Sequence, residues 1–237
     1  MRLRLKKAYF NNYQSDMEKI IIVGTNEFSE YVYFTIQKEQ AAEVIGFSSL
    51  KDYITDKEFC GLPVYPLEEL SRSFDMSKCQ VLITVGYTKM NERRVNSYNI
   101  CKELGYKIYT YISNRAICDS YSVGEGCIIM PMSYIPPVTS LGICNVVNVA
   151  CILGHTSSIG NFNWFSGNVT MGGNVQIDNN CFIGMNCLIK NGIHLLSKTM
   201  VGAYSYLNDD TIEGRFYSGN PANNTKKLKS IVVCDFI

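Results

Sequence analysis

The chain has 237 residues, enough for one large or two small domains, and a formal net charge of +1, which leaves no electrostatic footprint for nucleic acid or an anionic membrane. No run of about 18 apolar residues occurs, so no membrane span is expected. Ten cysteines are present without a CxxC pair, and four of them recur at one position of a repeat, which reads as small buried residues in a reduced, cytoplasmic protein rather than disulfides or metal ligands.

The basic start, Met1 to Lys7, runs into a polar and aromatic segment without an apolar core, so it does not read as a signal peptide. Met17 directly precedes the first strong strand and is a candidate translation start. Lys19–Val23 is a short β-branched run ending at Gly24, the pattern of a fully buried strand. A helix is expected over Phe28–Glu39, strands over Glu43–Phe47 and Gly61–Tyr65, and a helix opening at Leu67–Ser71. A further strand, Gln80–Val85, precedes a helical stretch over Lys89–Leu104, and Lys107–Ile112 is the last strand. Strands alternating with helices imply a small, doubly wound parallel sheet, a Rossmann-like domain over residues 17–115.

From Val123 the pattern changes. Every sixth residue to Leu207 is bulky and apolar: Val123, Ile129, Ile135, Leu141, Val147, Leu153, Ile159, Phe165, Met171, Ile177, Ile183, Ile189, Leu195, Val201 and Leu207. A period of six fits neither helix nor ordinary strand, but it fits a hexapeptide β-helix in which each hexad forms one wall of a coil. The residue after each inward aliphatic is often glycine, including Gly124, Gly142, Gly154 and Gly160, and is expected at a corner with unusual backbone angles. Cys127, Cys151, Cys181 and Cys187 open their hexads. The fold class is therefore α/β plus all-β, with an all-β helix over residues 120–222 and a tail over 223–237.

This order of domains resembles the bacterial sugar acyltransferases typified by the sialic acid O-acetyltransferase family and the bacillosamine-pathway UDP-amino-sugar N-acetyltransferase. The segments that carry the resemblance are 20–24, 61–64, 148–155, 172–177 and 219–222; the last, Gly-Asn-Pro-Ala, is similar to the motif that closes the helix in many hexapeptide acyltransferases. The resemblance implies a left-handed β-helix, a homotrimer with active sites between subunits, acetyl-CoA as co-substrate and a nucleotide-linked sugar as acceptor.

By resemblance His155 is the catalytic base; an imidazole suits removal of a proton from an amine or hydroxyl attacking a thioester. Asn148, seven residues earlier, matches a family asparagine expected to hold substrate or base. Thr156 stands where several relatives carry an acid, and its hydroxyl can still accept the ring N–H with less charge stabilisation. Trp164 stands where a relative has a histidine near the acyl-CoA, and is expected on the pantetheine or at a subunit interface. Gly172, Gly173, Gly184, Gly202 and Ala203 are expected along the acetyl-CoA groove, and His194 at a plain surface position.

The nucleotide end departs from the family. Its glycine-rich loop after the first strand is reduced to Gly24-Thr25-Asn26-Glu27-Phe28, and Glu27 would repel a phosphate. Substrate contacts are expected from Gly24, Thr25, Asn26 and Ser48, with Thr88 and Lys89 at a later strand end. Two histidines are too few for the three-His zinc site of a hydratase on this helix. The competing reading is a non-catalytic trimeric binding or assembly protein.

Overall fold

The computed structural model describes residues 17–234; the readings made for residues 1–16 lie outside them. β1 (Lys19–Val23) is buried because Ile20, Ile21 and Ile22 all face protein on both sides of the sheet. It is followed by α1 (Glu27–Glu39), β2 (Glu43–Ser49), β3 (Glu58–Phe59), β4 (Leu62–Pro66), α2 (Leu70–Ser73), β5 (Gln80–Ile83) and α3 (Glu92–Glu103). The sheet order is β3-β4-β2-β1-β5, parallel except for the β3–β4 hairpin, which the sequence reading did not include. Apolar residues of α1 cover one face, and those of α2 and α3 cover the other.

The expected last strand divides between the two halves. Ile108 bridges to Val81, whereas Tyr111–Ile112 pairs with Ile128–Ile129 of the coil. The coil thus begins about ten residues before its repeat becomes visible. Tyr111 and Ile117 pair with residues 17 positions on, but Val123 pairs with Leu141, 18 positions on. One wall of the first coil is a residue short. Ile117 is apolar and in phase with the later series, yet it points outward and is 60% exposed.

From Val123 the coils are regular, and the chain forms a left-handed parallel β-helix. Fourteen of the fifteen inward residues are buried, and Val123 packs against them near the open end. A first wall carries Ile128–Ile129, Val146–Val147, Trp164–Phe165, Phe182–Ile183 and Met200–Val201. A second carries Tyr134–Ile135, Thr170–Met171, Leu188–Ile189 and Tyr206–Leu207, with Ile152 bridging between them. A third carries Ser140–Leu141, Ser158–Ile159, Gln176–Ile177 and His194–Leu195. Arg215–Gly219 adds to the end of the first wall, with Tyr217 in the inward row, and turns back through Ala222–Lys229 as an antiparallel cap.

Two corner expectations are resolved differently. The left-handed backbone falls not on the residue after the inward aliphatic but two places later, at Gly126, Ala150, Thr156, Asn168, Asn174, Asn180 and Asn186 among others. Asparagine tolerates that conformation, which explains its recurrence there. The glycines expected to bend the chain are needed for close stacking instead. A Cβ on Gly154 would collide with the backbone of Gly172 in the next coil. The four hexad-opening cysteines are inward and buried, and each Sγ donates to a carbonyl fifteen residues on, as Cys127 does to Gly142 at 3.1 Å.

The first wall is the seat of the sheet domain. Its outward residues Ile128, Val146, Trp164, Phe182 and Met200 join one buried cluster with Ile20, Ile22 and Val32. Glu39 at the end of α1 ties the linker down: it accepts from Tyr111 Oη at 2.8 Å, Ser113 Oγ at 2.7 Å, the Asn114 amide at 3.1 Å and Arg115 Nε at 3.2 Å.

Candidate functional site

Two edges of the coil flank its second wall. Asn148 lies at the edge shared with the first wall and His155 at the edge shared with the third. They are not hydrogen-bonded to each other in one chain; Asn148 Oδ1 accepts instead from the neighbouring Val149 amide at 2.9 Å. His155 is exposed. Its ring is fixed from two sides. Nδ1 lies 3.2 Å from Thr156 Oγ1, and the ring stands over Gly173 of the next coil, where a Cβ would come within 2.5 Å of its Cε1 and Nε2. Thr156 has φ +57°, and it is the one β-branched residue among the described non-glycine positions of positive φ. A branched Cβ is ill suited to that region, so the turn holds strain beside the imidazole.

The residues expected along the acetyl-CoA groove lie on both edges. Gly172 and Gly173 adjoin His155, while Gly184, Gly202 and Ala203 lie on later coils of the Asn148 edge. Gly184 is already required by stacking, since a Cβ would meet the Ala203 amide at 2.5 Å. Trp164 corrects an expectation. It is 5% exposed on the first wall, between Phe28 and Tyr87 of the sheet domain with Arg94 over its ring, so neither a pantetheine chain nor a second subunit reaches it. Its flat apolar surface is used where the two halves of the chain meet.

His194 is held on the third wall by Asp178, with Nε2 2.7 Å from Oδ1, and its amide donates to Asp210 at 2.8 Å. Among the described residues no group of three or more His, Cys, Asp or Glu side chains is arranged to hold a metal.

A second concavity opens where β1, β2 and β5 end. It encloses about 200 Å³ and is lined by Gly24, Thr25 and Asn26, then by Ser49, Tyr53, Arg93 and Ser97 from later elements. Gly24 is required there: its φ is +138°, and a Cβ would lie 2.6 Å from Ser29 Oγ and Thr84 Oγ1. Asn26 is already committed, because its Oδ1 caps α1 through the Ser29 amide at 3.0 Å and its Nδ2 reaches Thr84 O at 3.4 Å. Ser48 is fully buried and does not reach the cavity, and Thr88 and Lys89 lie outside its lining. Arg93 and Tyr53 went unnoticed in the sequence, where Arg93 is one charge within the helical stretch Lys89–Leu104.

No family model matches the chain, and no curated protein matches it. Solved structures do. The acetyltransferase domain of PglB from Neisseria gonorrhoeae FA1090 superposes with a TM-score of 0.76 over 87% of this chain and 99% of its own, at 22% identity. A perosamine N-acetyltransferase from Caulobacter crescentus, solved with CoA and GDP-perosamine, gives 0.75 over 87% and 96% at 18% identity. WeeI from Acinetobacter baumannii AYE gives 0.77 over 87% and 99% at 20% identity. The chain has the fold of these acetyltransferases. The likeness spans both halves, sheet domain and β-helix together.

Proposed function

We propose that the protein transfers an acetyl group from acetyl-CoA to the amino group, or a hydroxyl group, of a nucleotide-linked sugar, as a homotrimer with His155 as general base. The observation that carries this reading is the arrangement of His155: exposed on a coil edge, cleared by Gly173 and held through Nδ1 by Thr156, in a chain with the two-part fold of nucleotide-sugar acetyltransferases.

With Thr156 Oγ1 accepting from Nδ1–H, the lone pair of Nε2 is left for the acceptor. As the amine attacks the thioester carbonyl, Nε2 takes its proton, the C–N bond forms and the C–S bond breaks. The imidazolium then returns the proton to the departing thiolate. Among the described residues Cys151 is buried with its thiol pushed up to about 12 by desolvation, and it is unsuited to act as a nucleophile in a covalent route.

The trimer is supported by the second wall. Its outward row, Ile117, Tyr134, Ile152, Thr170, Leu188 and Tyr206, is continuous through paired strands, and Ile152 and Leu188 are 48% and 46% exposed. The matching row on the third wall is Ser140, Ser158, Gln176 and His194. Three second walls facing a common axis bring the Asn148 edge of one subunit against the His155 edge of the next. That joins the two residues one chain keeps apart, and it forms a groove from Gly172 and Gly173 on one side and Gly184, Gly202 and Ala203 on the other. The buried thiols suit a reducing compartment, the cytoplasm.

The test is a product assay by mass spectrometry. Protein, acetyl-CoA and a panel of nucleotide-linked amino and deoxy sugars would yield an acetylated sugar that disappears with His155→Ala. Fragmentation distinguishes the amide from the ester. A trimer that neither binds acetyl-CoA nor forms product would replace this reading with a non-catalytic assembly protein.

A further inference from the structure

The cavity at the ends of β1, β2 and β5 has one charged lining residue, and it is a cation, Arg93. Its guanidinium stands 5.1 Å from the centroid of the Tyr53 ring. Tyr53 follows β2 and Arg93 lies in the first turn of α3, so the pair joins two elements in the lining of the cavity. Among the described residues Arg93 has no carboxylate or hydrogen-bond partner, so its N–H donors are uncommitted.

Its position is set with care. The three residues before α3, Lys89, Met90 and Asn91, all have left-handed backbone, and none is glycine. Such a run is costly and persists only where the surroundings hold it. They do: Met90 and Asn91 are fully buried, and Asn91 Nδ2 donates to Cys181 O of the coil at 3.3 Å. Arg94, also fully buried, donates from Nη2 to Phe162 O at 2.8 Å and Asn163 O at 3.2 Å. Arg94 therefore fastens the first turn of α3 to the β-helix, and its neighbour Arg93 is left at the cavity.

Meanwhile the loop after β1 is poorly equipped for an anion. The Asn26–Ser29 capping box occupies the start of α1, and Glu27 adds a negative charge there. An arginine presents a planar fork of donors that matches phosphate oxygens. We propose that Arg93 holds the diphosphate of the nucleotide-linked sugar in this cavity, taking from α3 the part that a glycine-rich loop after β1 would otherwise play, with Tyr53 stacked behind its guanidinium. This rests on the nucleotide-sugar reading above.

The test is calorimetric binding of UDP, dTDP and GDP, each beside its parent nucleoside, to the full-length protein and to Arg93→Gln and Arg93→Lys. Arg93 is exposed, so the variants should fold. The wild type should bind a diphosphate more tightly than its nucleoside. Arg93→Gln should lose roughly ten- to a hundredfold of diphosphate affinity, the scale of charge-assisted hydrogen bonds, with nucleoside binding unchanged. Arg93→Lys should restore part of it, and the KM for the sugar should rise while that for acetyl-CoA stays constant. Equal diphosphate affinity in wild type and Arg93→Gln would overturn the assignment of Arg93 and leave the nucleotide-linked acceptor standing. A wild type that binds none of the three diphosphates would overturn both.

Discussion

At the scale of single residues, the site depends on what two glycines leave empty. Gly173 and Gly154 both have ordinary φ, so alanine costs neither of them backbone strain. Their surroundings differ. The three closest atoms to a Cβ on Gly173 all belong to the His155 ring, whereas those on Gly154 are backbone atoms of Gly172 and Gly173. Gly173→Ala should therefore fold and displace the imidazole, lowering kcat by about 100-fold, the usual consequence of a misplacement near 1 Å. Gly154→Ala should wedge two coils apart and lower the melting temperature sharply. Circular dichroism and steady-state kinetics on both variants separate the two outcomes. Thr156 makes the converse prediction. Thr156→Asn places a residue that tolerates left-handed backbone where the other coils already use asparagine. Stability should rise by about 0.5–1 kcal/mol in denaturant titrations, while kcat falls as the Nδ1 partner changes. A variant as active as the wild type would show that the hydroxyl contributes nothing to His155.

At the scale of elements, each two-residue strand sends one side chain inward and the next outward. Leu188 and Ile189 are adjacent, one 46% exposed and the other fully buried. Ile189→Asp should abolish folding, since an unpaired carboxylate in the apolar interior has no compensating partner. If the proposed trimer forms through the second wall, Leu188→Glu combined with Ile152→Glu should leave each coil intact and give a monomer in light scattering, with acetyl transfer lost because the proposed His155–Asn148 meeting needs two subunits. A double variant that remains trimeric would place the subunit contact on another wall. The inward row was legible from the period of six. The short wall before Val123 was not, because Ile117 stays apolar and in phase although the register has slipped by one.

At the scale of the molecule, acids are held across the junction between the halves, among them Glu125 by Tyr98 and Lys102 of α3 and Glu39 by the residues that follow the sheet domain. Burial works against the charged form of Glu39, but hydrogen bonds from Ser113, Tyr111, the Asn114 amide and Arg115 outweigh it and hold the carboxyl below its ordinary range. A carboxyl whose folded value is lowered contributes stability that is present above its unfolded pKa, about 4.3, and is lost as pH falls through the folded value. Glu39→Gln should be less stable than wild type by about 1–3 kcal/mol at pH 7, and the difference should shrink as pH is lowered below about 4. Urea titrations at the two pH values check this; a gap independent of pH would mean that the charge of Glu39 is immaterial to the junction. The wall that receives the sheet domain was not apparent beforehand. Trp164 and Phe182 look like any outward residues of the repeat until the aromatic side chains of Phe28 and Tyr87 are seen against them.

The sequence by itself determined the β-helix, its inward row and the alternating strands and helices before it. Those features are local or periodic, and a period survives in one dimension. Tertiary structure alone decided which wall is covered and which is bare, that Asn148 and His155 stand on different edges, that Trp164 is interior, and that Arg93 rather than Lys89 reaches the cavity. Each of these depends on contacts between residues far apart in the chain, set by how one rigid coil and one small sheet fit together. No spacing in the sequence encodes that fit.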